Sequence, residues 1–137
     1  MISVIGTTSN YILQPSLVEM HKKSMEWLSA TLLWKRELKF FQQLLDSNAP
    51  KFGAAEDKKR IDHFQNLIIY YSGELVDEFN SKLRKHESNL AHMLQSKNES
   101  DTVYFKEHQG LMIELQSFSD NFRSYRYELL DFIEKVL

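Results

Sequence analysis

The chain contains no cysteine, and this absence removes several classes of function at once. A chain without thiols forms no disulfides, no thiolate metal sites, no iron–sulfur clusters and no cysteine nucleophile. Glycine and proline are also scarce, with 4 and 2 residues in 137. Because these residues mark turns and breaks, their scarcity predicts few and long elements of secondary structure. The formal net charge of −2 lacks the basic surplus of a dedicated nucleic-acid-binding protein, so we expect no nucleic-acid partner.

Long hydrophobic runs are missing as well. The longest apolar run, residues 67–71, is far shorter than the roughly 20 residues that cross a bilayer, so we expect no membrane association. The first residues have neither the basic start nor the apolar core of a secretory signal, which favours a cytoplasmic location. No glycine-rich phosphate loop and no serine-nucleophile motif occurs in the sequence. These observations predict a protein with no catalytic residues.

The clearest pattern is a seam of apolar residues at alternating spacings of four and three in the last third of the chain. Such spacing is typical of a helix that packs lengthwise against other helices, as in a coiled coil. It predicts one helix over residues 101–137, with a single polar member, His108, in the seam. The members are Tyr104, His108, Leu111, Leu115, Phe118, Phe122, Tyr125, Leu129, Phe132 and Val136.

A second seam predicts a long helix over residues 54–97. It runs in phase through Ser72 and Gly73, the one candidate break, and a true turn would normally reset the phase. Glycine inside a helix costs only about 1 kcal/mol relative to alanine, so we predict one continuous helix with a weak point. The members of this seam are Ile61, Phe64, Ile68, Tyr71, Leu75, Phe79, Leu83, His86, Leu90 and Met93.

The first third of the chain predicts a helix over residues 16–46, preceded by an arm of residues 1–15. Two apolar stripes on this helix give a face wide enough to contact two neighbours. One stripe is Val18, His21, Met25, Leu28 and Leu32; the other is Trp27, Trp34, Leu38, Phe41 and Leu45. Short loops make sequential helices antiparallel neighbours. Residues 1–137 are therefore predicted to form one all-α domain, an elongated up-down-up bundle of three long helices. The alternative is a four-helix bundle, if the second helix breaks at Ser72 and Gly73.

Polar side chains interrupt the packing faces at two predicted levels. Counting residues from the first loop places Glu37 and His63 at similar heights, and counting from the second loop brings His86 near His108. One interpretation is that each set forms a buried polar pair that selects one alignment of the helices. The alternative is a metal site that uses Glu37, His63, His86 or His108, for which zinc or iron suits the ligand types. The first interpretation predicts no cofactor.

Some apolar residues lie beside the seams, where a three-helix bundle has little capacity to bury them. Exposed apolar patches of this kind often mark interfaces. The sequence therefore predicts a non-enzymatic module for protein interaction or self-association, whose partner is a second copy of the chain or another helical protein. The alternative function is a metal-binding helical bundle. The candidate interface residues are Trp27, Phe40, Ile69, Val76, Leu130 and Ile133.

Four short stretches resemble a group of short, uncharacterised bacterial helical-bundle proteins to which no activity is assigned. They are residues 34–40, WKRELKF; residues 63–66, HFQN; residues 86–87, HE; and residues 105–108, FKEH. The resemblance extends from the first predicted helix onward. It implies a helical bundle in a bacterial cytosol and transfers no catalytic residue.

Overall fold

Four α-helices account for most of the chain in the computed structural model, which describes residues 15–95 and 102–137. They are α1 (Pro15–Asn48), α2 (Ala55–Tyr70), α3 (Val76–Gln95) and α4 (Thr102–Glu134), and these described residues contain no strand. A short 3₁₀ turn, Ala49–Lys51, follows α1. The all-α fold predicted from the seams is confirmed. Residues 1–14 of the predicted arm lie outside the described residues, and Pro15, its last residue, begins α1.

The second helix is continuous, with an irregularity at the predicted weak point. A π-helical turn, Tyr71–Leu75, joins α2 to α3, and the backbone N–H of Val76 donates to the carbonyl of Tyr71. The side chain of Lys35 on α1 donates to the carbonyl of Ser72 at 2.8 Å. We call α2, the π turn and α3 together the middle helix. Residues 15–95 and 102–137 therefore form a bundle of three long helices, and Gly73 does not divide the middle one.

The π turn explains why Val76 is not on the surface. A π turn is wider than an α-helical turn and holds an extra residue, which rotates the following side chains around the helix axis. Val76 is accordingly 1% exposed and belongs to the main apolar cluster, whereas the sequence placed it at a candidate interface. Ile133 is a second correction, because its side chain is 0% exposed in the same cluster.

Side-chain contacts give the alignment of the helices. Asn80 donates to the hydroxyl of Thr31 at 2.9 Å, and His21 bonds Glu87. In each pair, the two residues are about equally far along the sequence from residue 55, one before it and one after it. This pattern shows that α1 and the middle helix are antiparallel. The predicted reversal point was near residue 50. The difference arises because α1 runs on to Asn48 and then into the 3₁₀ turn, so that the chain reverses later.

In the described part of the chain, the core consists of two separate apolar clusters. The larger one contains most of the predicted seam residues and is rich in aromatic contacts, for example the stacked rings of Phe52 and Phe132 at 4.3 Å. The smaller one lies at the other end of the bundle and consists of Leu17, Leu90, Met93 and Tyr104. One predicted packing stripe on α1 is wrong in part, because Val18, Met25 and Leu32 are exposed. The predicted third helix is also shorter, since α4 ends at Glu134.

Candidate functional site

A polar layer lies between the two apolar clusters. The buried side chains of Ser24, His86 and His108 form this layer, one from each of α1, α3 and α4. The two histidines occupy seam positions at which every neighbouring member is apolar. They face each other because only residues 96–101 separate α3 from α4, so that residues at similar distances from this connection lie at the same height. The structure thus brings together the predicted pair of His86 and His108.

A chain of hydrogen bonds runs through this layer. Nδ1 of His86 lies 2.7 Å from Oε1 of Glu107, and Nε2 of His86 lies 2.8 Å from Nδ1 of His108. Asn89 also donates to the carboxylate of Glu107, at 3.1 Å. We call Glu107, His86 and His108 the histidine relay. Glu107 is half-exposed, so the relay begins near the surface and ends inside the bundle.

The protonation states follow from the direction of these bonds. Burial alone would raise the pKa of Glu107, but hydrogen bonds from His86 and Asn89 outweigh it and lower that pKa below its usual value. Burial and the neighbouring His86 lower the pKa of His108 from 6.5 to about 4. An ionised carboxylate only accepts hydrogen bonds, so Nδ1 of His86 carries its proton. Nε2 of His86 and Nδ1 of His108 share the second hydrogen bond, so both ring nitrogens of His86 are engaged and Nε2 of His108 lies at the inner end of the relay.

Aromatic stacking holds the relay in place. The ring of Tyr104 stacks on His86 with a centroid distance of 4.4 Å and an angle of 2° between the planes. Burial, with the nearby carboxylates of Glu87 and Glu107, raises the pKa of the Tyr104 hydroxyl. That hydroxyl keeps its proton at neutral pH. Within the described ranges, buried oxygens of Tyr104, Glu87 and Ser24 have no hydrogen-bond partner from the protein. The layer therefore contains buried polar atoms that its internal hydrogen bonds do not satisfy.

The other predicted pair is wrong. Glu37 pairs with Arg126 of α4, through Nε at 3.1 Å and a second guanidinium nitrogen at 3.0 Å, while His63 is exposed. The late reversal of the chain places the level of Glu37 near Gly73, about ten residues from His63. The sequence reasoning missed Arg126. The available signal was a basic residue directly after seam residue Tyr125, on the flank of the third helix.

The predicted interface residues divide into two groups. Phe40, Ile69 and Leu130 are exposed and Trp27 is half-buried, whereas Val76 and Ile133 belong to the core, as described above. Ile69 lies in a groove between α1 and α2 with Leu38 and Lys39. Phe40 and Leu130 lie beside the pair of Glu37 and Arg126, on the groove between α1 and α4. The six predicted interface residues therefore do not form one continuous surface.

The exposed residues around this ion pair share one face. Phe40 lies three residues after Glu37 and Leu33 four residues before it, so both are on the same side of α1 as Glu37. Leu130 lies four residues after Arg126 on α4 and is on the same side as that arginine. We call Leu33, Phe40 and Leu130 the α1/α4 face. It surrounds a half-buried ion pair with apolar side chains.

Among residues 15–95 and 102–137, no group of three or more histidine, aspartate or glutamate side chains is arranged to hold a metal ion. None of the helices in the same residues has the length and apolar character needed to cross a membrane.

Comparison of the chain with protein families, with curated proteins and with solved structures finds no match. The resemblance to short bacterial helical proteins stays a prediction.

Proposed function

We propose that this protein is a self-association module that dimerises through the α1/α4 face. The observation that carries the proposal is the exposure of Phe40 and Leu130, at 55% and 41%, on one side of the bundle that the described residues form. Large apolar side chains clustered on one face stabilise a complex by leaving water, at about 25 cal/mol for each Å² buried. Single exposed apolar residues are common, but a cluster of them points to an interface.

The charges on this face favour a second copy as the partner. A two-fold symmetric interface presents the same patch from both subunits, so each patch must be complementary to itself. The α1/α4 face carries one acid and one base, Glu37 and Arg126, at its centre. A two-fold rotation brings the acid of one copy towards the base of the other. A face with a single sign of charge would repel its own copy.

The proposal places the protein among interaction modules rather than enzymes, with cytoplasmic location as a prediction. The metal-binding alternative with zinc or iron also stays a prediction. In the arrangement described here, both ring nitrogens of His86 are engaged, one by Glu107 and one by His108. His86 can therefore ligate a metal only if the relay opens.

Sedimentation equilibrium of the full chain tests the proposal over concentrations from about 1 to 100 µM, a range that brackets transient dimers. We expect a dimer that dissociates on dilution, and a monomer over the whole range for the double variant Phe40→Ser with Leu130→Ser. The matched control is Ile113→Ser, which removes an exposed aliphatic side chain from the opposite flank of α4. The control should dimerise like the wild type. A wild-type monomer at every concentration would overturn the proposal, as would equal loss of dimer in the control.

A further inference from the structure

The histidine relay ends at a groove between α1 and α4. This groove has a volume of about 670 Å³ and lies near the beginning of both helices. His108 contributes to its wall although only 8% of that residue is exposed. The remaining wall residues are Ser16, Glu19, Met20, Lys22, Lys23, Glu26 and Met112. The groove therefore combines one imidazole with two thioethers.

The relay orients the imidazole for ligation. Nδ1 of His108 bonds His86, and in the described part of the chain Nε2 of His108 has no hydrogen-bond partner. Histidines that bind metals commonly have their other ring nitrogen held by a hydrogen-bond partner, which fixes the tautomer and the ring orientation. His86, itself held by Glu107, has this role for His108.

Met112 shares a helix face with His108. The two residues are four positions apart on α4, which places them about one turn from each other on the same side. Both line the groove, and Met112 is half-buried against the larger apolar cluster. This imidazole and this thioether therefore come from one rigid element.

Met20 faces the same two residues from α1. The contacts of Trp34 with Phe118 and of Glu37 with Arg126 show that α1 and α4 run parallel, with an offset of 84 to 89 positions. This offset places Met20 opposite positions 104–109, at or next to the level of His108. Met20 is half-buried and packs against the smaller apolar cluster. Met112 packs against the larger cluster, so the two thioethers lie on either side of the level of His108.

We propose that Nε2 of His108 and the sulfurs of Met20 and Met112 bind Cu(I). Thioether sulfur is a soft ligand that selects Cu(I), and a nitrogen with two sulfurs forms a neutral set suited to a monovalent cation. Zinc and iron prefer histidine, carboxylate or thiolate, so the site discriminates against them. The charged rim does not oppose a cation, since Glu19 and Glu26 balance Lys22 and Lys23, and Lys23 lies 3.8 Å from Glu26. This site is separate from the α1/α4 face.

Competition with a chromophoric Cu(I) chelator under anaerobic, reducing conditions tests the site in the full chain without an affinity tag. We expect the wild type to withdraw one Cu(I) per chain from the chelator, and Zn(II) to leave the protein's thermal unfolding unchanged. Replacements Met20→Leu and Met112→Leu keep the apolar volume and should each weaken Cu(I) binding by more than about tenfold. The matched control is Met25→Leu, an exposed methionine of α1 outside the groove, which should bind like the wild type.

A spectroscopic measurement separates ligation from folding. With methionine methyl groups labelled by ¹³C, the redox-inert Ag(I) should shift two methyl resonances in the wild type and one in Met112→Leu, and the far-ultraviolet circular dichroism should be the same for both. The positioning variant Glu107→Gln should weaken Cu(I) binding by about tenfold and keep the same methyl shifts. The proposal is overturned if the wild type withdraws no Cu(I), or if Met25→Leu weakens binding as much as Met112→Leu does.

Discussion

The ion pair of Glu37 and Arg126 provides the sharpest test of how the helices are aligned. The perturbation is a double-mutant cycle with Glu37→Ala, Arg126→Ala and the double variant. The magnitude follows from two features of the contact. It is bidentate, with distances of 3.1 and 3.0 Å, and the two side chains are 25% and 32% exposed. Exposed pairs contribute about 0.2–1 kcal/mol, and a buried hydrogen bond to a charge about 1.5–3 kcal/mol.

A partly buried bidentate pair lies between these limits, so we expect a coupling free energy of about 1.5 kcal/mol after allowing for solvent screening. The guanidinium of Arg126 also lies 4.9 Å from the centre of the Phe122 ring. Arg126→Ala removes this cation–π contact too, and the cycle cancels that contribution because it is lost in both backgrounds. Urea denaturation at a protein concentration low enough to keep the proposed dimer dissociated supplies the free energies of unfolding.

The control cycle pairs Glu37→Ala with His63→Ala, the partner that the sequence predicted. We expect the two losses to add within about 0.5 kcal/mol, because the residues lie at different levels of the bundle. Coupling below about 0.5 kcal/mol for Glu37 with Arg126 would refute the parallel register of α1 and α4. Strong coupling of Glu37 with His63 would restore the earlier alignment. The Met20 position in the proposed Cu(I) site depends on the same register.

Three further predictions concern the core. For metal-free protein, lowering the pH from 8 to 5 should reduce the free energy of unfolding by about 2 kcal/mol, because burial and His86 hold the pKa of His108 at about 4 against 6.5 in the unfolded chain. The stabilisation is complete above pH 6.5 and is lost as the pH falls towards 4. Urea denaturation should show a smaller pH dependence for His108→Gln than for the wild type. The same pH dependence in both proteins would contradict the assignment to His108. Tyr125→Phe should cost about 1–2 kcal/mol in chemical denaturation, because the buried hydroxyl donates to the carbonyl of Phe64 at 2.9 Å, and a neutral result would argue against that bond. Gly110→Ala should raise the free energy of unfolding by about 0.5–1 kcal/mol, since an added Cβ meets nothing within 4 Å; destabilisation in the same assay would mean that the helix surface is covered there.

The local spacing of apolar residues predicted most of the fold. The seam from Tyr104 to Phe132 is buried at every predicted position, since helical periodicity depends only on which residues lie three and four apart. The pairing of His86 with His108 was also accessible, because a short connection leaves little freedom in how α3 and α4 align. The sequence therefore determined the helices, their order and one of the two polar levels.

Tertiary structure decided the features that depend on registers between distant segments. A few residues of delay in the reversal after α1 moved Glu37 away from His63 and brought it to Arg126. One π turn rotated Val76 from the flank into the core, and the offset between α1 and α4 brought Met20 into one groove with His108 and Met112. In each case, a small local change shifts or rotates a long rigid helix and so changes which side chains meet far from that change. The apolar periodicity of a single helix carries no information about this accumulated shift. Only the packing between the helices determines which residues of distant segments meet.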